Sequence, residues 1–276
     1  MDYLIDKLSL DLLFNIFDYF SYKDACKLTK ISKKIWLLVK QHKWKDCTTE
    51  IKYSLKLWRK QFPNAINVVI SSRNKIYDKD FQYLEGIKKL SIKDQKLITD
   101  KAFENLKGIH TLNISGCDQS TITDKAFENL IGIHTLDISD CDQITITDKA
   151  FENLKGIHTL KMSCCLQITD SAFENLKGIH TLDISYCIQL TDRAFKNFEG
   201  IHTLRMTNCS QRTITDAAFQ YLKGINTLDM SNCTQNTITD QAFENLKGIN
   251  SLDISYCDRS NKIIENLKLL IKDFRY

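Results

Sequence analysis

The phrase TDKAFENLKGIHTL stands at residues 99–112, returns with one change at 123–136 and is repeated letter for letter at 147–160. Looser copies continue to Leu252, and each runs into a short coda such as DISDC at 137–141 or DISYC at 183–187. Self-similarity at a fixed period excludes most globular folds. A unit this small cannot bury its own apolar face, so successive copies must stack around one continuous core. Aligned on the leucine of IHTL, the copies place Leu112, Leu136, Leu160, Leu182, Leu204, Leu228 and Leu252 at spacings of 22 or 24 residues, with Leu90 and Val68 as degraded earlier members. The longer units carry two extra residues between Cys and the next Thr-Asp, as in CDQSTITD at 117–124 against CLQITD at 165–170.

Within a unit, Ile109, Leu112, Ile114 and Cys117 follow the pattern LxxLxLxxN/C, in which a short strand is followed by a turn and a helix. Thr99 or Asp100 can cap the helix, Ala102, Phe103 and Leu106 face inward, and Gly108 ends it. These units resemble leucine-rich repeats, and the cysteine in register resembles the cysteine-containing repeats found downstream of F-boxes. The resemblance implies an α/β, right-handed solenoid with parallel strands on a concave face and helices on the convex face. About nine strands over residues 64–260, spaced about 4.8 Å apart, would give a concave face of roughly 40 Å, a length suited to a protein or peptide ligand. In residues 261–276 the apolar stripe of Ile263, Ile264, Leu267, Leu270, Ile271 and Phe274 reads as a C-terminal capping helix.

Residues 1–47 hold no glycine and no copy of the repeat, so a separate module precedes the array. Its apolar spacing predicts three short helices: Leu10, Leu13, Phe17 and Phe20 on the first, Ala25, Leu28 and Ile31 on the second, Ile35, Leu38 and Val39 on the third. Three helices of this size bury little surface by themselves and need a neighbour or partner. The stretch LSLDLLFNIFDYFSYKDACKLTKISKKIWLLVKQHKW at 8–44 resembles an F-box. The match is carried by Leu8, Leu12, Leu13, Ile16, Phe20, Asp24, Leu28, Ile31, Lys33 and the closing Trp44, with Ser9 where the family has proline and Ala25 where leucine is common. The resemblance implies that the first nine of these bind a Skp-type adaptor and, through it, a cullin. A helical cap sealing the open end of the array is the competing reading. Residues 48–63 suit that role, since Ile51, Leu55, Trp58 and Phe62 follow at helical spacing and Pro63 ends the helix.

Among near-identical repeats, recognition is sought where surface positions vary. One concave row reads Asn113, Asp137, Lys161, Asp183, Arg205, Asp229, Asp253, and a second, just before each cysteine, reads Gly116, Asp140, Cys164, Tyr186, Asn208, Asn232, Tyr256. Aromatic residues and arginine are typical interface anchors, so Asp137, Lys161, Asp183, Tyr186, Arg205, Asp229, Asp253 and Tyr256 form the expected substrate-binding set. The alternative is a ladder of opposite charges that neutralise one another without a ligand.

Other functions find little support. The net charge of +4 is spread without a basic block, so no nucleic-acid partner is expected. No run of eighteen uncharged apolar residues exists and the N-terminus is acidic, which predicts a cytoplasmic or nuclear protein without a membrane segment. Seven of the ten cysteines occupy one repeat position and there is no CxxC, so buried thiols are expected instead of bridges or metal sites. GxGxxG, GxxxxGK[ST] and GxSxG are all absent. Neither catalysis nor a cofactor is expected. The sequence thus points to a substrate-recognition subunit of a cullin-RING ubiquitin ligase, with a free-standing interaction or decoy module as the competing class.

Overall fold

In the computed structural model, residues 7–258, 264–265, 267–268 and 271–276 are described. Three N-terminal helices, α1 (Leu10–Phe17), α2 (Tyr22–Leu28) and α3 (Lys33–Gln41), lead into a two-residue strand β1 (Glu50–Ile51) and helix α4 (Leu55–Gln61). Serine caps each of the first three. The Oγ atoms of Ser9, Ser21 and Ser32 accept from the backbone N–H of Leu12, Asp24 and Ile35, each at 3.2 Å. This satisfies an amide that the first helical turn leaves free, and it gives Ser9 a role at the position where the family has proline.

From β2 (Asn67–Ile70) onward every repeat contributes one three- or four-residue strand: β3 (Lys89–Ser91), β4 (Thr111–Asn113), β5 (Thr135–Asp137), β6 (Thr159–Lys161), β7 (Thr181–Asp183), β8 (Thr203–Arg205), β9 (Thr227–Asp229), β10 (Ser251–Asp253) and β11 (Asp273–Arg275). They form one parallel sheet in strict sequence order, β1 to β11. Equivalent residues pair directly, Leu112 with Leu136 and Leu136 with Leu160. The sheet therefore exceeds the nine expected strands by one at each end.

Strand β11 shortens the expected C-terminal capping helix, of which Ile264, Glu265, Leu267 and Lys268 are helical. Phe274 lies opposite Leu252 in the sheet, Leu267 and Ile271 are buried, and Ile263 and Leu270 fall outside the described residues. The reason is visible as a worn repeat: Ile271 and Phe274 follow Ile249 and Leu252 at the 22-residue spacing. An extra strand completes the ladder hydrogen bonds of β10, which a helix cannot do.

On the convex side the expected helices are tight single turns. Asp100–Phe103 is α-helical and Glu104–Leu106 continues as a 3₁₀ turn, while Asp148–Leu154 is 3₁₀ throughout. Only seven residues separate the threonine cap from the lysine before the glycine, and a 3₁₀ turn spans more length per residue than an α-helix. Gly108 takes φ +74°, a left-handed conformation that lets the chain reverse into the next strand.

The core is continuous. Ala102, Phe103, Leu106, Ile109, Leu112, Ile114, Cys117 and Ile122 are all at most 2% exposed, and their counterparts stay buried in the following units until Cys257, which is half-buried. Each buried Leu, Ile or Phe contributes about 1.5–3 kcal/mol, so the repeats hold together through this stack. The N-terminal module joins it without a hinge. Tyr22, Trp44, Trp58 and Phe62 form one ring cluster, with centroids 4.6 Å apart for Tyr22 and Phe62. The Tyr22 hydroxyl donates to the carbonyl of Asn67 in β2, and Arg59 Nε donates to the carbonyl of Tyr83 at 2.6 Å.

Candidate functional site

Two surfaces carry chemistry that packing does not consume. The first is on the N-terminal module. Leu8, Leu12, Ile16 and Ile31 are exposed, as the sequence reading requires of adaptor-binding residues, and Lys33 is exposed beside them in sequence. Leu13 is not available: it is 8% exposed and belongs to the core, because it shares the inward stripe of α1 with Phe17. Phe20 and Leu28 are half-buried against that core, and Asp24 accepts from Ser21 and Lys27, which hold its carboxyl below the usual carboxylate range. The structure adds Leu10, Tyr19, Trp36 and Leu37 to the exposed apolar residues. The spacing of Leu12, Ile16 and Tyr19 at intervals of four and three marks a second apolar stripe on α1 and the turn that follows it, a signal present in the sequence. Exposed apolar clusters of this kind mark interaction sites.

The second surface is the concave face. Its acidic row has an internal task. Asp137, Asp183, Asp229 and Asp253 each accept from the backbone N–H two residues on, at 3.1, 3.0, 3.2 and 2.9 Å, and Asn113 does the same for Ser115 at 3.0 Å. These side chains close the turn after the strand, a role to which Asn and Asp are best suited. Lys161 and Arg205 break the pattern and are the exposed members of the row. Arg205 lies between two carboxylates, with Nε 3.3 Å from Asp229 and a terminal nitrogen 3.9 Å from Asp183. For Lys161 no ion pair is found among the described residues. The neutralising ladder is therefore built around Arg205 alone.

The second variable row has a backbone cause. Asp94, Asp140, Cys164, Tyr186, Asn208, Asn232 and Tyr256 all have φ between 55° and 62°, and Gly116 has 71°. Gly, Asn and Asp tolerate this left-handed conformation, whereas bulky residues there carry strain of about 1–3 kcal/mol each. Asn and Asp thus need no ligand to explain them, but Tyr186 and Tyr256 do not fit the backbone preference. Both project into solvent.

The histidine and cysteine ladders are scaffold. Cys117, Cys141, Cys165, Cys187 and Cys209 donate their thiols to carbonyls of the preceding repeat at 3.2–3.3 Å. Burial pushes the Cys117 thiol up to about 11 and those of Cys141, Cys187 and Cys209 up to about 12, so none is a nucleophile at neutral pH. Among the described residues no group of three or more His, Cys, Asp or Glu could hold a metal ion. The rings of His110, His134, His158, His180 and His202 stack at 4.4–4.6 Å. Desolvation, then the charges of His158 and His202, lower the pKa of His180. A folded-state pKa below the unfolded value of about 6.5 means stability is complete above that pH and is lost as pH falls below it. The melting temperature is expected to drop between pH 7 and 5.5. His180→Asn, which installs the residue found at the equivalent Asn226 and Asn250, should flatten that dependence; equal slopes in both proteins would refute it.

A model of the F-box domain matches residues 5–41, and a model of the BspA type leucine rich repeat region matches residues 74–201 and 145–267. The chain belongs to the F-box/leucine-rich-repeat proteins. No curated protein matches it. Solved structures similar to this F-box/leucine-rich-repeat protein share its fold at low identity. They include the complex of Rad7 and Elc1 in yeast, at 18% identity and TM-score 0.54, over 98% of this chain and 83% of the other. Internalin C2 of Listeria monocytogenes matches at 19% identity and TM-score 0.50, over 74% and 86%. A TLR13 complex with single-stranded RNA matches at 19% and 0.62, over 85% of this chain but only 35% of that one. The F-box/leucine-rich-repeat protein combines two interaction modules in one body. No helix among its described residues is long and apolar enough to cross a membrane.

Proposed function

We propose that this F-box/leucine-rich-repeat protein is a substrate-recognition subunit of a cullin-RING ubiquitin ligase, acting in the cytoplasm or nucleus. Its F-box binds a Skp-type adaptor and its concave face holds a target protein. The observation that carries this reading is the exposed apolar set of Leu8, Leu12, Ile16 and Ile31 on a module fused to the solenoid through Tyr22, Trp44 and Arg59. A rigid junction keeps the target at a constant distance from the adaptor, which raises the effective concentration of the target lysines near the ubiquitin-conjugating enzyme. The solved complex of Rad7 and Elc1 supports the same arrangement by its fold. The protein itself contributes positioning, and the ligase partners contribute the chemistry.

Co-purification of the full chain with a Skp-type adaptor tests the reading. Leu12→Asp with Ile16→Asp is expected to weaken adaptor binding at least about a hundredfold, since buried carboxylates at an apolar interface are heavily penalised. Both side chains are already exposed in the free protein, so the variant should keep its circular dichroism spectrum. A wild-type chain that binds no adaptor would favour the free-standing interaction module.

A further inference from the structure

At one place on the rim of the solenoid the repeats stop being interchangeable. Two positions flank each repeat cysteine. The residue before it is the left-handed one described above, and the residue after it reads Asp118, Asp142, Leu166, Ile188, Ser210, Thr234 and Asp258 along the array. Only the two consecutive units around Cys165 and Cys187 place apolar residues there, and both lack the two extra loop residues of the units on either side. Leu166 is 42% exposed, Ile188 52% and Tyr186 46%, although each has polar counterparts in other copies. Ile144, in the extra pair of the preceding unit, is 83% exposed where the other long units have Ser120, Arg212 and Asn236.

The backbone brings these side chains together. Cys164 N donates to the carbonyl of Ser185 at 2.9 Å, and Tyr186 N to that of Thr207 at 3.0 Å, so the loops lie in adjacent layers about 4.8 Å apart. Packing within the chain does not explain the apolar choice, because the side chains point into solvent. Local conformation does not explain it either, because Tyr186 sits at φ 62°, where Asn208 and Asn232 fit with less strain. Lys161 precedes Cys164 by three residues and is therefore within about 10 Å along the chain. Its cross-strand neighbours Asp137 and Asp183 are taken up by Ser139, Asn113, Ser185 and Arg205.

We infer that Leu166, Tyr186 and Ile188, with Lys161 on the adjoining concave face, form a docking site for a protein segment that presents an apolar side chain next to a carboxylate. The apolar side chain covers Leu166 and Ile188, the Tyr186 ring adds a flat contact, and the carboxylate pairs with Lys161 Nζ. The site deepens the reading of the solenoid as a target-binding arm, but it does not depend on the adaptor.

A displayed library of random linear peptides, selected on the full-length protein, supplies the probe. Synthetic copies of the enriched peptides are then measured by fluorescence anisotropy. The expected consensus has Leu, Ile, Phe or Trp within about three residues of Asp or Glu, the reach of a short extended segment. Leu166→Asp with Ile188→Ser should weaken binding at least tenfold, and Lys161→Asp should do the same. Each replacement is the residue another copy carries at that position (Asp142, Ser210, Asp137), so the fold is already adapted to it. Tyr186→Asn is a second probe, expected to lose affinity while the melting temperature holds or rises. Absence of enriched peptides, a consensus without an acidic residue, or equal binding by the rim variants overturns the inference. So does rim-dependent binding of anionic lipid vesicles without peptide binding. A protein that binds such peptides but no adaptor keeps this site and loses only the ligase reading.

Discussion

Phe173→Ala should destabilise the protein by about 3–5 kcal/mol, the range for deleting a fully buried aromatic side chain. Phe173 is completely buried, with its ring centroid 6.5 Å from Phe151 in the preceding unit and 5.2 Å from Phe198 in the next. Phe198 replaces the leucine of other copies and lies 5.1 Å from Phe195, so the substitution removes one ring from a four-ring cluster at the middle of the array. In a stack where each unit contacts only its neighbours, a cavity at the centre weakens two interfaces at once. Urea melts followed by circular dichroism would measure the loss. Hydrogen exchange should accelerate most in units on either side of residue 173. A change below about 1 kcal/mol would show that neighbouring units do not depend on this ring.

The second large effect is expected from Asp170→Ala, at about 2 kcal/mol, because two hydrogen bonds to one carboxylate are lost together. Asp170 accepts from the backbone N–H of Thr191 at 2.8 Å and from its hydroxyl at 2.6 Å. The threonine oxygen in turn accepts from Arg193 N at 3.2 Å, so one threonine is both a helix cap and the acceptor's partner in the neighbouring unit. The same clamp links Asp78 to Thr99, Asp100 to Thr123, Asp124 to Thr147, Asp148 to Thr169, Asp192 to Thr215 and Asp216 to Thr239. A double-mutant cycle of Asp170→Ala with Thr191→Val isolates the coupling, which should be about 1 kcal/mol or more. Additive losses would mean that the pair acts only within its own helices.

The Thr-Asp pair shows how the sequence could be read correctly in kind yet incompletely. Its place before an apolar run identifies a helix start. Which of the two residues caps, and that the other reaches into the adjacent unit, depends on stacking distance. The same holds for the variable rows. Lys161 and Arg205 look alike as letters in a column of acids, but only Arg205 meets carboxylates on both sides. The second row varies along its whole length. The left-handed backbone explains its Asn and Asp members, which fulfil a conformational requirement at that φ, and leaves unexplained Tyr186 and Tyr256, the two members of the expected binding set. Leu13 is buried for a related reason: α1 is apolar on two sides, and its sequence alone does not say which side packs inward.

The sequence by itself determined the repeat, its strand-turn-helix content and the in-register cysteines, since all of these are encoded as local periods. Tertiary structure decided where the array ends, with β1 and β11 joining the sheet at its edges. It also decided which apolar residues of the F-box stay exposed, and it singled out Leu166 and Ile188 on the rim. These are questions of what lies beside a residue in the neighbouring layer, and a one-dimensional period carries that information only after the layers are stacked.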